Sequence, residues 1–196
     1  MKDAVIIGSG PGGYYCALKL AKLGKDVAIV EERDIGGVCT NSGCIPTKAL
    51  LESARILHEA RNSERMGIEC NVELNFEKAK KNAELAVKRS QKGIEHLLTT
   101  ANVSILSGRG RLTERNVVEV SGENDGSVEA ENVVIATGSH TRDLPNIACD
   151  GKTILSSRDL LNIDHIPESL LIIGGGSIGV EFAAIFSTFG SQVTVA

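Results

Sequence analysis

Short apolar runs and longer helical patterns alternate along this chain. Residues 4–7 and 26–30 read as buried strands, and the stretch between them, from Pro11 to Leu23, has helical spacing, with Gly24 placed to end it. The order recurs later: residues 170–173 as a strand, a helical stretch to Phe189, Gly190 as terminator, and residues 192–195 as a strand. Between the two copies, Leu50, Leu51, Ala54 and Leu57 predict a helix over 46–61. Phe76, Ala79, Ala83, Val87, Ser90, Ile94 and Leu97 predict a long amphipathic helix over 76–98 that covers the sheet. Residues 103–106, 117–120 and 131–135 read as strands, 112–116 as a polar turn region, and 121–127 as a hairpin turn.

Each strand–helix copy is joined by a glycine loop. The first reads Gly8-Ser9-Gly10-Pro11-Gly12-Gly13, the second Gly174-Gly175-Gly176-Ser177-Ile178-Gly179. In this spacing one glycine allows the tight turn, the next lets backbone approach a pyrophosphate, and the last lets helix and strand pack closely. The helix N-terminus then offers amide donors to the phosphates. Glu31 ends the strand after the first copy, where a carboxylate can take the ribose hydroxyls of an adenosine. The second copy would place its acid just past Ala196, so the chain is expected to be a fragment that stops inside a dinucleotide-binding unit.

Cys39 and Cys44 lie in GGVCTNSGCIPTK, directly after that acid. Their spacing can close a small disulfide loop, and Gly43 eases the turn. Pro46 sits at or near a helix start, which puts Cys44 at the positive end of a helix, a setting that favours thiolate over thiol. Lys48, one turn on, adds positive charge. Zinc ordinarily needs a second cysteine pair, and none exists here, so no metal is expected. Cys16, Cys70 and Cys149 have no such setting and read as inert thiols.

Composition narrows the classes further. The 196 residues carry a net charge of −4, with 42% apolar and 23% charged residues, two Tyr, four Phe and no Trp. That balance gives no reason to expect nucleic acid or an anionic membrane as a partner. No apolar run approaches the roughly 20 residues that span a bilayer. A strand follows Met1 almost at once, leaving no room for a leader in this sequence, so a cytoplasmic location, or else a mature chain with its presequence removed, is expected.

Taken together, these motifs resemble the class I pyridine nucleotide–disulfide oxidoreductases, which are FAD-dependent. The resemblance rests on the two glycine loops, the GGVCTNSGCIPTK segment and Val133-Val134-Ile135-Ala136-Thr137-Gly138. It implies an α/β fold. A Rossmann-like FAD-binding domain over 1–148, a parallel sheet with helices and a β-meander, lacks its return segment. The start of a Rossmann-like NAD-binding domain follows over 149–196. Position by position, Gly8, Gly10, Pro11, Gly12 and Gly13 would hold the FAD pyrophosphate, and Glu31 and Glu32 the adenosine end. Gly37, Val38, Lys48, Gly110, Thr137 and Gly138 would also line the cofactor. Gly174, Gly176 and Gly179 would cradle NAD. Cys39 would exchange disulfides with substrate, Cys44 would form the charge-transfer thiolate, and Lys48 would form a buried charge pair with Glu181.

Ala49-Leu50-Leu51 and the stretch IPESLLIIGGGSIGVEFA resemble the dihydrolipoamide dehydrogenase branch. That branch implies a homodimer that oxidises the lipoyl group of a 2-oxoacid dehydrogenase or a glycine cleavage carrier protein, with NAD⁺ as acceptor. A related disulfide or mercuric reductase, and a non-catalytic flavin-binding module, stay open as alternatives. The family's His–Glu proton acceptor has no match here: His58, His96, His140 and His165 read as surface or structural, so the chain alone is expected not to turn over.

Overall fold

The computed structural model describes all 196 residues, Met1–Ala196. In chain order its elements are β1 (Lys2–Ile7), α1 (Pro11–Lys22), β2 (Val27–Glu31), α2 (Gly37–Ser42) and α3 (Cys44–Arg61). A 3-10 turn (Ser63–Met66) leads to α4 (Phe76–Thr100), β3 (Ser104–Ser107), β4 (Arg109–Glu114), β5 (Val117–Ser121) and β6 (Gly126–Ile135). The chain closes with α5 (Ser157–Leu160), β7 (Ser169–Ile172), α6 (Ser177–Phe189) and β8 (Gln192–Val195). It divides into two compact units, one made of Met1–Ser42 and Val87–Thr141, the other of Gly43–Ala86 and Arg142–Ala196.

The first unit is built on a six-stranded sheet of order β3-β2-β1-β6-β5-β4. Strands β3, β2, β1 and the second half of β6 run parallel; β4, β5 and the first half of β6 form an antiparallel meander. Strands β1 and β2 are continuous apolar runs because both of their faces are covered. Val5, Ile7, Ala28 and Val30 meet Val118, Val120 and Ala130 of the meander. On the opposite face Ile6, Val27 and Ile29 meet Ala17 of α1 and Ile94 and Leu98 of α4. The α/β class with a parallel-dominated sheet, expected from the sequence, is borne out.

In the second unit β7 and β8 pair in parallel, with α6 as their crossover. Phe182, Ile185, Phe186 and Phe189 of α6 bury themselves against Leu50, Ala54 and Leu57 of α3 and Ala79 and Ala83 of α4. Gly190 ends α6 at φ +117, the left-handed cap expected of it. No helix of the protein is long and apolar enough to cross a membrane.

One local expectation needs correction. Residues 112–116 do not form one polar turn, because β4 runs on to Glu114. That strand is exposed at every position but Gly110, so it lacks the apolar alternation that marks a strand in sequence. A short helix, α2, occupies Gly37–Ser42, a segment for which the sequence pattern predicts no element. Helix α3 begins at Cys44, so Pro46 is its third residue, near the helix start as expected.

Candidate functional site

The two glycine loops share one local geometry. Gly8 and Gly174 both take φ above +100°, at +102 and +108. Gly10 and Gly176 cap their helices in extended backbone, at φ −62, ψ 179 and φ −72, ψ 176. Neither cap uses a side chain, so the helix ends present bare amides. A Cβ on Gly13 would run into the Gly8 carbonyl oxygen, and one on Gly179 into that of Gly174. The close strand–helix approach therefore needs glycine at both places.

Several named residues gather around the first loop. The chain passes over Gly8 at Ala136–Thr137, held by the Ala136 N–H donating to the Ile7 carbonyl at 2.8 Å. Gly138 follows in left-handed backbone, φ +74. Gly37 lies so near that a Cβ on it would be 2.7 Å from Gly10 Cα, and the next residue, Val38, is exposed. Glu31 points its carboxylate back at the loop: Oε2 accepts from the Ser9 N–H at 2.8 Å and the Ser9 hydroxyl at 2.5 Å. Its Oε1 accepts from the Arg33 N–H at 2.9 Å. Glu32 is exposed beside it. Gly110 packs on the sheet, where a Cβ would sit a tight 3.0 Å from Ile7 Cγ2 and 3.1 Å from Val30 Cγ1, so close packing favours a small residue there.

This arrangement fits the diphosphate and adenosine of a dinucleotide. A Cβ on Gly10 would meet only Gly37 Cα, at the ordinary contact distance of 3.9 Å, so the cap position is not crowded by the chain around it. The helix end has no side-chain cap, and a carboxylate ends the adjoining strand.

Cys39 is half-buried in α2 of the same unit. Tyr14, on α1, stacks on Tyr15 with ring centroids 4.4 Å apart. Burial, then a hydrogen bond with Tyr15 that favours the protonated phenol, push Tyr14 up from 10.0 to about 12, with the nearby Cys39 a smaller contributor. A raised phenol favours the fold fully below pH 10 and loses that contribution as pH rises toward 12. Tyr14→Phe is expected to flatten the alkaline limb of a stability–pH curve in that window. Urea unfolding at stepped pH checks this.

In the second unit Cys44 is exposed as the first residue of α3. One turn on, Lys48 forms an ion pair with Glu181 of α6. The sequence expectation made this pair buried, and that is corrected here: the Lys48 side chain is 58% exposed and that of Glu181 28%. Water screens such a pair, so a Lys48→Met/Glu181→Gln double-mutant cycle on stability should give a coupling below about 1 kcal/mol. Chemical denaturation of the four proteins tests that value. Gly174, Gly176 and Gly179 lie in this unit around the β7–α6 turn, and Gly174 and Gly176 are exposed. All four histidines are exposed, and no three His, Cys, Asp or Glu side chains come together as metal ligands.

A family model described as pyridine nucleotide-disulphide oxidoreductase matches residues 2–196. The chain belongs to that family. Among curated relatives, the dihydrolipoyl dehydrogenase of Chlorobaculum parvum is 42% identical over 198 residues, covering 98% of this chain and 42% of the relative. That of Bacillus subtilis is 38% identical, covering 98% and 43%. The crystal structure of LpdA from Mycobacterium tuberculosis matches with a TM-score of 0.91 at 27% identity, covering 100% of this chain and 44% of that one. The HOCl-induced flavoprotein disulfide reductase RclA of Escherichia coli matches with a TM-score of 0.81 at 33% identity, covering 98% and 41%. The chain thus spans about 42% of the length of these curated relatives.

Sequence reasoning passed over Ser9, Asn41 and Tyr14. Ser9 was visible only as the variable position of the glycine motif, and its partners Glu31 and Gly36 are 22 and 27 residues away.

Proposed function

We propose that this chain is the N-terminal part of a dihydrolipoamide dehydrogenase, with 1–148 contributing to an FAD-binding domain and 149–196 beginning an NAD-binding domain. The observation that carries this reading is the twin loop geometry, two helix ends preset for diphosphates, in a chain that also holds the paired cysteines. Gly8, Gly10, Pro11, Gly12 and Gly13 would hold the FAD diphosphate, with Glu31 and Glu32 at its adenosine end. Gly37, Val38, Lys48, Gly110, Thr137 and Gly138 complete the set proposed for FAD. Gly174, Gly176 and Gly179 would serve NAD.

The chemistry proposed for the chain is thiol–disulfide exchange at Cys39 and Cys44. A substrate thiolate attacks the Cys39 sulfur, the Cys39–Cys44 bond breaks, and Cys44 leaves as thiolate. The second substrate thiol then attacks the mixed disulfide, releasing reduced Cys39 and the oxidised lipoyl ring. FAD held by these residues would supply the acceptor for the electron pair of the reduced cysteines, with NAD⁺ as the final oxidant. Lys48, paired with Glu181, keeps a positive charge one turn from Cys44. The full-length protein would act as a cytoplasmic homodimer on the lipoyl group of a 2-oxoacid dehydrogenase or glycine cleavage carrier protein.

The visible absorption spectrum of the purified chain with FAD, before and after a dithiol, tests this reading. Flavin absorption that gains a long-wavelength band with dithiol, lost in Cys44→Ser, is the expected result. A full-length protein that binds no FAD defeats the cofactor assignment, and a band that survives Cys44→Ser defeats the thiol assignment. The RclA match favours one second reading, a flavoprotein disulfide reductase with another substrate. Failure of the full-length protein to reduce NAD⁺ with dihydrolipoamide would select it.

A further inference from the structure

Ser9 stands between Gly8 and Gly10, and the redox chemistry above makes no use of it. It is fully buried, at 0% exposure. Its hydroxyl donates to Glu31 Oε2 at 2.5 Å and accepts from the Gly36 N–H at 3.1 Å. Gly36 immediately precedes α2, the helix that carries Cys39. From the other side Asn41, on α2 itself, donates its amide to the carbonyls of Asp34, Ile35 and Gly37 at 3.2, 3.2 and 2.9 Å. Gln91 of α4 donates to Asn41 Oδ1 at 2.7 Å, which fixes the way that amide faces. The turn at 34–37 is therefore held by two side chains, one rooted in the dinucleotide loop and one braced by α4.

We infer that Ser9 is a positioning residue: through its hydroxyl it ties the dinucleotide loop and Glu31 to the turn that sets α2, and so fixes the presentation of Cys39. This rests on the proposed reading of Cys39 as the exchange thiol. A serine hydroxyl has one proton to give, and here it goes to a carboxylate, the stronger class of hydrogen bond. Donating that proton polarises the oxygen and strengthens its acceptance from Gly36. Glu31 Oε2 already takes two donors while Oε1 takes one, so a ribose hydroxyl can bind at Oε1 without displacing Ser9. The tie therefore persists when the loop is filled. Alanine at position 9 would leave the buried Gly36 N–H without its acceptor.

Iodoacetamide labelling, read cysteine by cysteine with peptide mass spectrometry, tests the inference, with exposed Cys70 as the internal reference. Ser9→Ala is expected to raise the Cys39:Cys70 rate ratio roughly three- to tenfold, the factor that one lost buried hydrogen bond gives. Amide exchange over 36–42 should quicken with it. A variant that only loosened the whole fold would quicken amide exchange in β1 and β2 as much as over 36–42, whereas loss of the tie quickens 36–42 alone. Gln91→Ala, at a half-buried helix position, should move the ratio the same way by roughly twofold, and if Ser9→Ala does not fold, Glu31→Gln, which weakens the bond that orients the Ser9 hydroxyl, carries the test: an unchanged ratio there overturns the role. An unchanged ratio overturns the positioning role. Calorimetric titration of the unaltered chain with ADP separates this from the cofactor reading. A changed ratio without ADP binding keeps Ser9 and refutes the cradle, whereas ADP binding with an unchanged ratio does the reverse.

Discussion

Gly13→Ala is expected to remove most of the stability of the unit that holds the first glycine loop, and with it any binding of ADP. The added methyl would overlap the Gly8 carbonyl oxygen, stand 2.9 Å from Gly8 C and press on Ile6 Cγ2 at 3.4 Å. Two of those atoms are backbone, so no rotamer change relieves the overlap. Either α1 lifts from the sheet, uncovering Ala17 and Ile6, or the turn at Gly8 opens. Ordinary overpacking costs about 1–3 kcal/mol, and a clash with fixed backbone belongs at or beyond the top of that range. Set against a domain stability of about 5–15 kcal/mol, the loss is large. Gly93→Ala supplies the contrast: it lies within α4, exposed, with nothing within 4 Å of an added Cβ. There alanine should stabilise by about 0.5–1 kcal/mol, through helix propensity and a less flexible unfolded chain. Urea denaturation of both variants decides the pair. Gly13→Ala unfolding within 1 kcal/mol of the parent would mean that the loop has room it does not show.

The parts of the fold that could be read from sequence are those where a single local cause acts. Strands β1 and β2 are buried on both faces, so their burial appears directly as unbroken apolar runs. The helices α1 and α6 announce themselves by glycine loops in front and glycine stops behind. Where two causes compete, the pattern fails. Strand β4 forms because β5 offers it hydrogen bonds, while its own side chains are almost all exposed. Helix α2 forms over Gly37–Ser42, a glycine- and asparagine-bearing stretch of poor helix propensity, braced by Asn41 and Gln91. The site divides in the same way. The glycines could be named from spacing, since their reason is local. Ser9 could not, because its importance lies in what Glu31 and Gly36 do after the chain has returned to it. Likewise the Lys48–Glu181 contact was foreseeable from the family pattern, but its exposure was not, since burial depends on what covers it.

Phe186→Ala should be the most damaging large-to-small change in the second unit. Phe186 is the largest fully buried side chain of the protein. Its ring lies 6.2 Å from that of Phe182 and 6.3 Å, edge-on, from that of Phe189, which in turn meets Phe76 at 5.9 Å. Truncation therefore opens a cavity in the middle of an aromatic chain rather than at its rim. Such a change costs about 3–5 kcal/mol, the spread reflecting how far the neighbours collapse. Here the cluster holds rigid rings on the same helix and, on the facing helices, the alanines Ala54, Ala79 and Ala83 beside Leu50 and Leu57, so only the two leucines could relax toward it. Phe186→Leu keeps most of the volume and should lose no more than about 1.5 kcal/mol. Hydrogen exchange on the alanine variant should show protection falling first in α3 and α6, the helices that Phe186 and its neighbours clamp together. Because α6 also carries Glu181, a slackened α6 weakens the Lys48 ion pair in the same variant. A protein in which Phe186→Ala and Phe186→Leu unfold at the same denaturant concentration would contradict this account, since the cavity would then carry no energetic penalty.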